Sequence, residues 1–268
     1  MKGASKILVM QLWIMGCYDQ IKSMSLNLMG KLINNMNTAI ITGASAGIGA
    51  SAAALFSQRN FKVINLSRRP CKVEGVLNLC GDLASEENLK NILPNLNEAM
   101  SQSNTVSLVH NAAKMRKDSV LDCSESELRE MLEINVVAIN ALNRRLIPQM
   151  PKGSSVIYIG STLSMKAVPN SFSYILSKHA QVGIMRATCQ DLMGRGIHTA
   201  LINPGFTDTE MLQKHLNNDT ELIKSLAKMN SFERLANPAE IAECILWAHH
   251  NPVINGTIIE ANLGQKES

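Results

Sequence analysis

Three side chains in the second half of the sequence have the types and spacing needed for proton transfer. Tyr174 and Lys178 are four residues apart, so on a helix they share one face about one turn apart. A free tyrosine has a pKa of about 10, and a nearby ammonium would lower that value by stabilising the phenolate. Ser161 follows an apolar run, where its hydroxyl could hydrogen-bond a substrate oxygen. Together these residues predict acid/base chemistry at a carbonyl or alcohol carbon.

A glycine-rich turn near the start of the chain could bind a dinucleotide. Gly43, Gly47 and Gly49 follow a short apolar run and open an alanine-rich helical pattern. Glycines there allow backbone N–H groups to approach a pyrophosphate closely, beside the positive end of a helix. The G-x-x-x-G-x-G spacing differs from the G-x-G-x-x-G dinucleotide fingerprint, and such turns also occur as plain structure. The turn therefore predicts a nucleotide site only in combination with other residues.

The end of the second apolar run indicates which nicotinamide cofactor is used. Ser67, Arg68 and Arg69 follow the run, and no acidic residue stands beside them. An acid at this position would hydrogen-bond an adenosine ribose, whereas an Arg accommodates a 2′-phosphate. This predicts NADP(H) over NAD(H), with Arg68 as the phosphate-binding residue because Arg69 precedes Pro70. The alternative is that both arginines lie in a solvated loop.

The segments that must position these residues alternate between short apolar runs and longer helical patterns. Strands are predicted at residues 39–41, 62–66, 76–79, 106–109, 156–159, 199–202 and 257–260. Helices are predicted at residues 47–58, 86–100, 125–146, 172–193 and 238–249. Nearly continuous apolar strands between helices indicate a single doubly wound α/β domain of the Rossmann type, with a mostly parallel sheet covered on both faces. Such sheets bind ligands at the carboxyl ends of their strands.

The composition of the 268-residue chain is typical of one soluble globular domain. Its 26 basic and 22 acidic residues give a net charge of +4 without a basic block, so nucleic-acid and membrane-surface binding are not indicated. The six cysteines stand singly and the histidines form no metal-binding pattern. These features predict reduced thiols, a cytoplasmic location and no metal site.

Residues 1–35 differ from the rest of the chain. Two lysines precede an apolar stretch at residues 7–15, which is followed by Cys17 in a pattern faintly similar to a lipoprotein signal. The stretch is shorter than the roughly 20 apolar residues of a transmembrane helix. The alternative, which we favour, is an over-long start or a disordered extension before a single NADP-binding catalytic domain at residues 36–268.

The glycine turn and the Tyr–Lys pair together resemble those of the short-chain dehydrogenase/reductase family, of the single-domain type with T-G-x-x-x-G-x-G and Y-x-x-x-K motifs. The similarity runs from about residue 36 to residue 264, and Ser161 stands thirteen residues before Tyr174, as in that family. The resemblance implies a catalytic tetrad: Asn135 holding a water in a proton relay, Ser161 orienting the carbonyl, Tyr174 as acid/base and Lys178 binding the nicotinamide ribose. It also implies that an oxidised nicotinamide helps to lower the pKa of Tyr174.

Further positions match the family's cofactor-binding pattern. Asp82 resembles the Asp that meets the adenine amine, and residues 203–209 resemble the stretch that holds the nicotinamide carboxamide. The predicted cofactor-binding residues are Gly43, Ser45, Gly47, Ile48, Gly49, Ser67, Arg68, Asp82, Leu83, Asn111, Ala112, Tyr174, Lys178, Pro204, Gly205, Thr207 and Thr209. Two positions depart from the pattern. The family's Asn-Asn-Ala-Gly appears here as His-Asn-Ala-Ala from His110, for which we predict a structural role, and Leu263 replaces one of the closing glycines.

The loop after Ser161 and the segment after Gly205 shape substrate specificity in the family. Here they are mostly apolar, which predicts a small apolar ketone, aldehyde or diketone as substrate. The predicted pocket residues are Leu163, Val168, Phe172, Phe206 and Met211. The resemblance also implies a homodimer or homotetramer built on the helices at residues 125–146 and 172–193.

Other functions stay open beside an NADPH-dependent carbonyl reductase or alcohol dehydrogenase. One is a non-catalytic NADP(H)-binding sensor or scaffold, although such a protein has no physical need for Ser161 and Tyr174. Another is a 3-oxoacyl thioester reductase, because the stretch at residues 234–240 resembles that group. An epimerase or dehydratase on the same sheet is a further alternative, but those relatives are longer and have a different glycine spacing.

Overall fold

The protein forms a seven-stranded sheet in the computed structural model, which describes residues 36–266. The predictions made for residues 1–35 lie outside this range. The strands are β1 (Met36–Thr42), β2 (Lys62–Ser67), β3 (Leu77–Cys80), β4 (Ser103–His110), β5 (Ser155–Ile159), β6 (His198–Pro204) and β7 (Thr257–Ala261). They lie in the order β3-β2-β1-β4-β5-β6-β7, and every neighbouring pair among them is parallel. The doubly wound parallel sheet predicted from the sequence is confirmed.

Helices connect the strands and cover the sheet. They are α1 (Gly47–Gln58), α2 (Glu86–Ser101), α3 (Glu125–Leu132), α4 (Ala138–Leu146), α5 (Phe172–Asp191), α6 (Glu210–His215), α7 (Thr220–Ala227) and α8 (Pro238–His250). On one face α1 and α8 bury an apolar core that includes Phe56 and Ile245. On the other face α2, α4 and α5 bury a second core that includes Leu142 and Met185. Every residue of β5 and β6 is buried between these layers, as expected for central parallel strands.

The strand order places a crevice beside the carboxyl ends of β1 and β4. The chain runs outward from β1 to β3 and then crosses back to β4, so successive connections leave the sheet on opposite faces at this point. Ligands of open α/β sheets bind in such crevices. Gly43 follows β1, Arg68 follows β2, Asn111 follows β4 and Ser161 follows β5 by one residue, so the fold brings all four to one edge.

The predicted helix at residues 125–146 is a composite of three pieces. It begins at a capping box in which the Ser124 hydroxyl and the Glu127 carboxylate each accept the other's backbone N–H. Between α3 and α4 it widens into a π-helical turn over Glu133–Val137, here called the π-turn, with Asn135 at its centre. Such turns occur mostly as single insertions in α-helices and often at functional sites. The sequence pattern predicted the helix but not its widening.

Two short helices after β6 were not predicted. The Thr209 hydroxyl accepts the backbone N–H of Leu212 at 3.2 Å and begins α6. The Asp219 carboxylate accepts two backbone N–H groups at 3.0 Å and begins α7. Side chains of this kind satisfy the N–H groups that a helix start leaves unpaired. Within residues 36–266 no helix combines the length and apolar character needed to cross a membrane.

Candidate active site

A cleft of about 1160 Å³ lies over the carboxyl ends of the strands. All the predicted cofactor-binding residues except Gly49 line it, together with Ser161, Tyr174 and Lys178 of the predicted tetrad. Four of the five predicted substrate residues also line it, and Phe172 does not. Residues two apart on a helix point in different directions, so with Tyr174 in the cleft Phe172 faces elsewhere. Placing Phe172 in the pocket from the sequence ignored this helical geometry.

The glycine turn approaches other parts of the cleft too closely for side chains. Gly43 has a φ of +71°, and a Cβ there would lie 2.9 Å from the Cα of Ala112. Gly47 has a φ of +56°, and its Cβ would lie 3.1 Å from the Thr209 methyl group. A Cβ on Gly49 would lie 2.4 Å from the carbonyl oxygen of Gly43. Gly49 therefore serves the packing of the turn against α1, which explains why it does not line the cleft.

Two asparagines hold the glycine turn in place. The Asn65 side chain accepts a hydrogen bond from the backbone N–H of Ala44 at 3.0 Å and donates one to the carbonyl of Arg69 at 3.2 Å. The Asn111 amide donates to the carbonyl of Thr42 at 3.0 Å. Asn65 therefore connects the glycine turn to the loop after β2 that contains Arg68 and Arg69. The sequence carried a signal for it, because it is a lone amide inside an otherwise apolar strand, but the prediction missed it.

The start of α1 fits the diphosphate of a dinucleotide. In the described chain Ala46 at the N-cap offers no side-chain hydrogen bond, and no acidic residue occupies the first turn of α1. The backbone N–H groups of that turn, at the cleft-lining Gly47 and Ile48, therefore carry a partial positive charge that neither a capping side chain nor a first-turn carboxylate compensates. A helix N-terminus of this kind binds phosphate groups.

The two arginines after β2 have different environments. The Arg69 guanidinium donates a hydrogen bond to Glu210 of α6 at 3.2 Å across the cleft. Glu210 also accepts a hydrogen bond from Lys214 at 2.6 Å, and the two cations lower the pKa of its carboxyl group to about 2. Arg68 is exposed, lines the cleft and forms no ion pair with any described residue.

Tyr174 and Ser161 meet at the floor of the cleft. The Tyr174 side chain is buried, and burial raises its pKa to about 12, although a hydrogen bond with the Ser161 hydroxyl lowers the pKa in part. The Nζ of Lys178 lies 5.6 Å from the centre of the Tyr174 ring, and burial lowers the pKa of that lysine to about 7. The sequence predicted a lowered pKa for the phenol. Burial does the opposite, because the loss of solvent around both side chains favours their neutral forms.

Ser161 is held by residues that the sequence analysis did not single out. Its backbone N–H donates to the side-chain oxygen of Asn203 at 3.1 Å and to the Ser164 hydroxyl at 3.0 Å. The Asn203 amide in turn donates to the carboxylate of Glu260 on β7 at 2.7 Å. A Cβ at position 160 would lie 2.3 Å from the Asn203 oxygen, so only glycine fits before this serine. Contacts that run from β7 through β6 thus fix the backbone after β5 that carries the Ser161 hydroxyl.

Asn135 lies beneath the cleft and not in its wall. Its side-chain oxygen accepts the backbone N–H of Lys114 at 2.8 Å. Its amide donates to the Lys114 carbonyl and to the Ser177 hydroxyl, both at 2.9 Å. The side chain is fully buried and joins the loop after β4 to α5. Both ends of the side-chain amide are bonded to protein groups, and the water-holding role that the resemblance implies for Asn135 stays a prediction.

The part of the cleft beside the predicted substrate residues carries many apolar side chains, and it is larger than the predicted residues alone would make it. Helices α6 and α7 and the residues after them extend the apolar wall formed by Leu163, Val168, Phe206 and Met211, adding Leu212, Leu216, Leu222, Leu226 and Met229. Two lysines in the lining have acidic partners: Lys114 pairs with Glu130 and Lys214 with Glu210.

His110 has the structural environment predicted for it. Its Nε2 lies 2.7 Å from the side-chain oxygen of Asn143, and its ring stacks on Tyr158 with the ring centres 5.1 Å apart. Burial lowers the pKa of His110 to about 4, although the hydrogen bond with Asn143 acts in the opposite direction. The ring is therefore neutral at pH 7 and packs between the central strands and α4.

Comparisons with known proteins agree with this architecture. A family model described as enoyl-(acyl carrier protein) reductase matches residues 43–265. Carbonyl reductase family member 4 of Xenopus tropicalis is 26% identical over 234 residues, which cover 84% of this chain and 95% of that protein. The 3-oxoacyl-[acyl-carrier-protein] reductase FabG of Vibrio cholerae is 26% identical over 249 residues, covering 89% of this chain and 98% of that protein.

Solved structures show the same fold. A short-chain dehydrogenase family protein from Francisella tularensis superposes with a TM-score of 0.78 at 27% identity, covering 85% of this chain and 98% of that one. L-sorbose reductase of Gluconobacter frateurii, solved with NADPH and L-sorbose, superposes with a TM-score of 0.78 at 20% identity, covering 88% and 99%. With the glycine turn, the Ser–Tyr–Lys arrangement and the family model in agreement, the chain belongs to the short-chain dehydrogenase/reductase family and is an NAD(P)-dependent oxidoreductase.

Proposed function

We propose that the protein is an NADPH-dependent carbonyl reductase that converts a small apolar ketone or aldehyde to an alcohol, and that it also runs in reverse as an alcohol dehydrogenase. The observation that carries the proposal is that Tyr174 and Ser161 line the same cleft as a helix start that fits a dinucleotide phosphate, with the Ser161 hydroxyl near enough to affect the pKa of the phenol. A non-catalytic sensor needs the second feature but not the first.

The phenol of Tyr174 is the proposed acid. Because burial raises its pKa to about 12, the phenol is protonated near neutrality and has a proton to give to a carbonyl oxygen. We propose that the Ser161 hydroxyl, which lies beside that phenol, donates its one O–H to the same substrate oxygen as that oxygen gains negative charge. A bound nicotinamide supplies the hydride to the carbonyl carbon. Lys178, beside the Tyr174 ring, is proposed to hold the nicotinamide ribose.

The preference for NADPH over NADH is proposed from Arg68. It lies on the cleft at the end of β2, where a 2′-phosphate on the adenosine ribose would meet its guanidinium. Its neighbour Arg69 is engaged by Glu210, which supports Arg68 as the phosphate ligand. Ser67 stabilises the loop that contains both arginines, because its hydroxyl donates a hydrogen bond to the Arg69 carbonyl at 2.5 Å.

A second candidate is the reduction of 3-oxoacyl thioesters. The FabG relative acts on such substrates by its name, and the apolar residues that α6 and α7 add to the cleft favour an acyl chain beside the reacting carbonyl. The carrier group on the sulfur side of such a thioester is large and must extend out of the cleft into solvent. Small ketones and 3-oxoacyl thioesters therefore belong in the same assay.

The homodimer or homotetramer and the cytoplasmic location expected from the sequence are parts of the proposal.

The deciding experiment measures oxidation of NADPH and NADH with small ketones, aldehydes, diketones and 3-oxoacyl thioesters, in the wild type and in Tyr174→Phe. This substitution removes the proton donor and keeps the ring, so we expect turnover to fall by about 10²–10⁴-fold, the usual contribution of a general acid. Tyr158→Phe is the matched control, because Tyr158 is also buried but contacts Asn143 and Thr188 and does not line the cleft.

Each outcome separates the candidate functions. Turnover that is lost in Tyr174→Phe and kept in Tyr158→Phe supports the reductase, and the better substrate class decides between the first and second candidates. NADPH binding without turnover of any carbonyl in the wild type would favour the sensor. Turnover that survives in Tyr174→Phe would show that another group supplies the proton.

A further inference from the structure

Gln181 makes a bridge beneath the cleft that the functional roles above do not use. It lies three residues after Lys178 on α5, so the two share a helix face, and its side chain is buried. Its side-chain oxygen accepts a hydrogen bond from the Nζ of Lys178 at 3.1 Å. Its amide nitrogen donates to the backbone carbonyl of Asn135 at 2.9 Å. One side chain thus joins the lysine of the site to the π-turn.

Lys178 has only neutral acceptors among the described residues. Besides Gln181 its ammonium donates to the backbone carbonyl of Ile159 at the end of β5, at 2.7 Å. The titratable side chain that faces it is Tyr174, on the same helix, and no charged group of the described chain contributes to its pKa. The buried ammonium is therefore stabilised by dipoles alone, which makes each of them important for its position and its charge.

We propose that Gln181 is a positioning residue of this site, which holds the ammonium of Lys178 in place by tying it to the backbone of the π-turn at Asn135. A glutamine amide neither takes up nor releases a proton near neutrality, so the bridge fixes the lysine without passing its proton to Asn135. The remaining direction for proton exchange from Lys178 is toward Tyr174 and the cleft. Sequence spacing places Gln181 beside Lys178, but only the structure shows that its other end reaches the π-turn.

Substitutions at Gln181 should move the pKa of Lys178 in opposite directions. Gln181→Glu places a carboxylate beside the ammonium and should raise the pKa of Lys178 by about one pH unit or more, because an opposite charge stabilises the charged form. Gln181→Met keeps the length of the side chain, removes the acceptor and should lower that pKa. If Gln181 only filled space, its substitution would change the stability of the protein and leave the pKa of Lys178 unaltered.

The measurement is a pH titration of the full chain labelled with ¹⁵N at the lysine side chains, followed by NMR. The Lys178 resonance is identified by its absence in Lys178→Met. Gln190→Glu and Gln190→Met are the matched controls, since Gln190 lies on the same helix but is exposed. This readout needs neither substrate nor cofactor, so it stands or falls independently of the function proposed above.

Opposite movements of the Lys178 pKa in the two Gln181 variants, with neither movement in the Gln190 variants, support the proposal. An unchanged pKa, or movement in the same direction in both, would overturn it. If Gln181→Met does not fold, Gln181→Glu alone decides by whether the pKa rises. The consequence for turnover rests on the proposed function: the pH dependence of carbonyl reduction should shift to higher pH in Gln181→Glu. If the Lys178 resonance shifts in NMR but the pH dependence of turnover does not, the result would count against the role of Lys178 in catalysis.

Discussion

The carboxylate of Asp118 accepts hydrogen bonds from both the backbone N–H, at 3.0 Å, and the hydroxyl of Ser173, the residue directly before Tyr174. Asp118 lies in the loop after β4 and is almost fully buried. The residue at the N-cap of α5, Ser171, makes no side-chain hydrogen bond to the helix. A residue from a distant loop therefore caps the helix that carries the tyrosine and the lysine, and its negative charge lies at the positive end of that helix.

Loss of this cap should destabilise the protein and disturb the site. We expect Asp118→Ala to lower the free energy of unfolding by about 1–3 kcal/mol, because it leaves the Ser173 N–H and hydroxyl without their charged acceptor. Asp118→Asn keeps one acceptor oxygen and should cost less. Denaturant unfolding of the two variants tests the order, with the exposed Asp122→Asn in the same loop as control. Equal stabilities for wild type and Asp118→Ala would contradict the cap.

Selectivity between the two nicotinamide cofactors should depend on Arg68 and much less on Arg69. Arg68→Gln removes the proposed ligand of the 2′-phosphate, and hydrogen bonds to charged groups contribute about 1.5–3 kcal/mol. The Kd for NADPH should therefore rise about tenfold to a hundredfold, with the Kd for NADH nearly unchanged. Arg69→Gln is the matched control, because Arg69 is paired with Glu210. Fluorescence titration of the wild type and both variants with both cofactors measures all six constants, and equal losses for NADPH and NADH in Arg68→Gln would refute the assignment.

Alanine at Gly43 should impair both folding and cofactor binding. The position has a φ of +71°, which costs about 1–2 kcal/mol for a residue with a Cβ, and that atom would also press on Ala112. Gly183 on α5 provides a contrast, because a Cβ there meets no atom within 4 Å and its backbone is helical. Gly183→Ala should stabilise the protein by about 0.5–1 kcal/mol. Thermal unfolding and NADPH titration of both variants test these two expectations. A Gly43→Ala variant that is as stable as the wild type and binds NADPH normally would contradict the role given to Gly43.

The stability of the protein should fall in mild acid because buried histidines are held in their neutral form, His110 and His249 most strongly. Burial lowers the pKa of His110 to about 4 and, with smaller effects from His250 and His198, that of His249 to about 4. The unfolded chain binds protons at these residues below a pH of about 6.5, whereas the folded chain does so only below about 4. Stability is therefore complete above pH 6.5 and is lost as the pH falls toward 4, by about 3 kcal/mol for each histidine.

Urea unfolding between pH 7.5 and pH 4.5 measures this loss. His110→Asn should reduce the difference in unfolding free energy between those two pH values by about 2 kcal/mol, since one of the buried histidines no longer titrates. His179→Asn on the exposed surface of α5 is the control and should leave the difference unaltered. A pH dependence that is the same in His110→Asn and in the wild type would show that His110 is not the group involved.

The sequence predicted the sheet, most of the helices and the residues of the cleft because these depend on local patterns. Apolar runs such as that of β5 identify buried strands, and the spacing of Tyr174 and Lys178 reports a helix face directly. Contacts between distant segments leave no such pattern. The hydrogen bond between Asn203 and Ser161 joins residues 42 positions apart, and that between Asp118 and Ser173 joins residues 55 positions apart. The sequence shows the polar side chains but not which of them meet.

Electrostatic predictions failed for a related reason. The spacing of Tyr174 and Lys178 correctly brought a cation near the phenol, but it contained no information on how completely both would be removed from water. Burial moves both pKa values toward the neutral forms. The degree of burial depends on how the cleft, α5 and the π-turn pack together, which is a property of the whole fold.

The π-turn sets a limit on how this chain can change in length. A π-turn amounts to one residue inserted into an α-helix, so removal of one residue from it would close the wide turn to an α-helical one and leave α4 in nearly the same rotational register relative to α3. The contacts that Asn135 makes with Lys114 and Gln181 from the widened backbone would be disturbed. A one-residue deletion in the π-turn should therefore spare the packing of α4 and damage the site, whereas a deletion elsewhere in this helix would rotate the following turns by about 100° and should damage both.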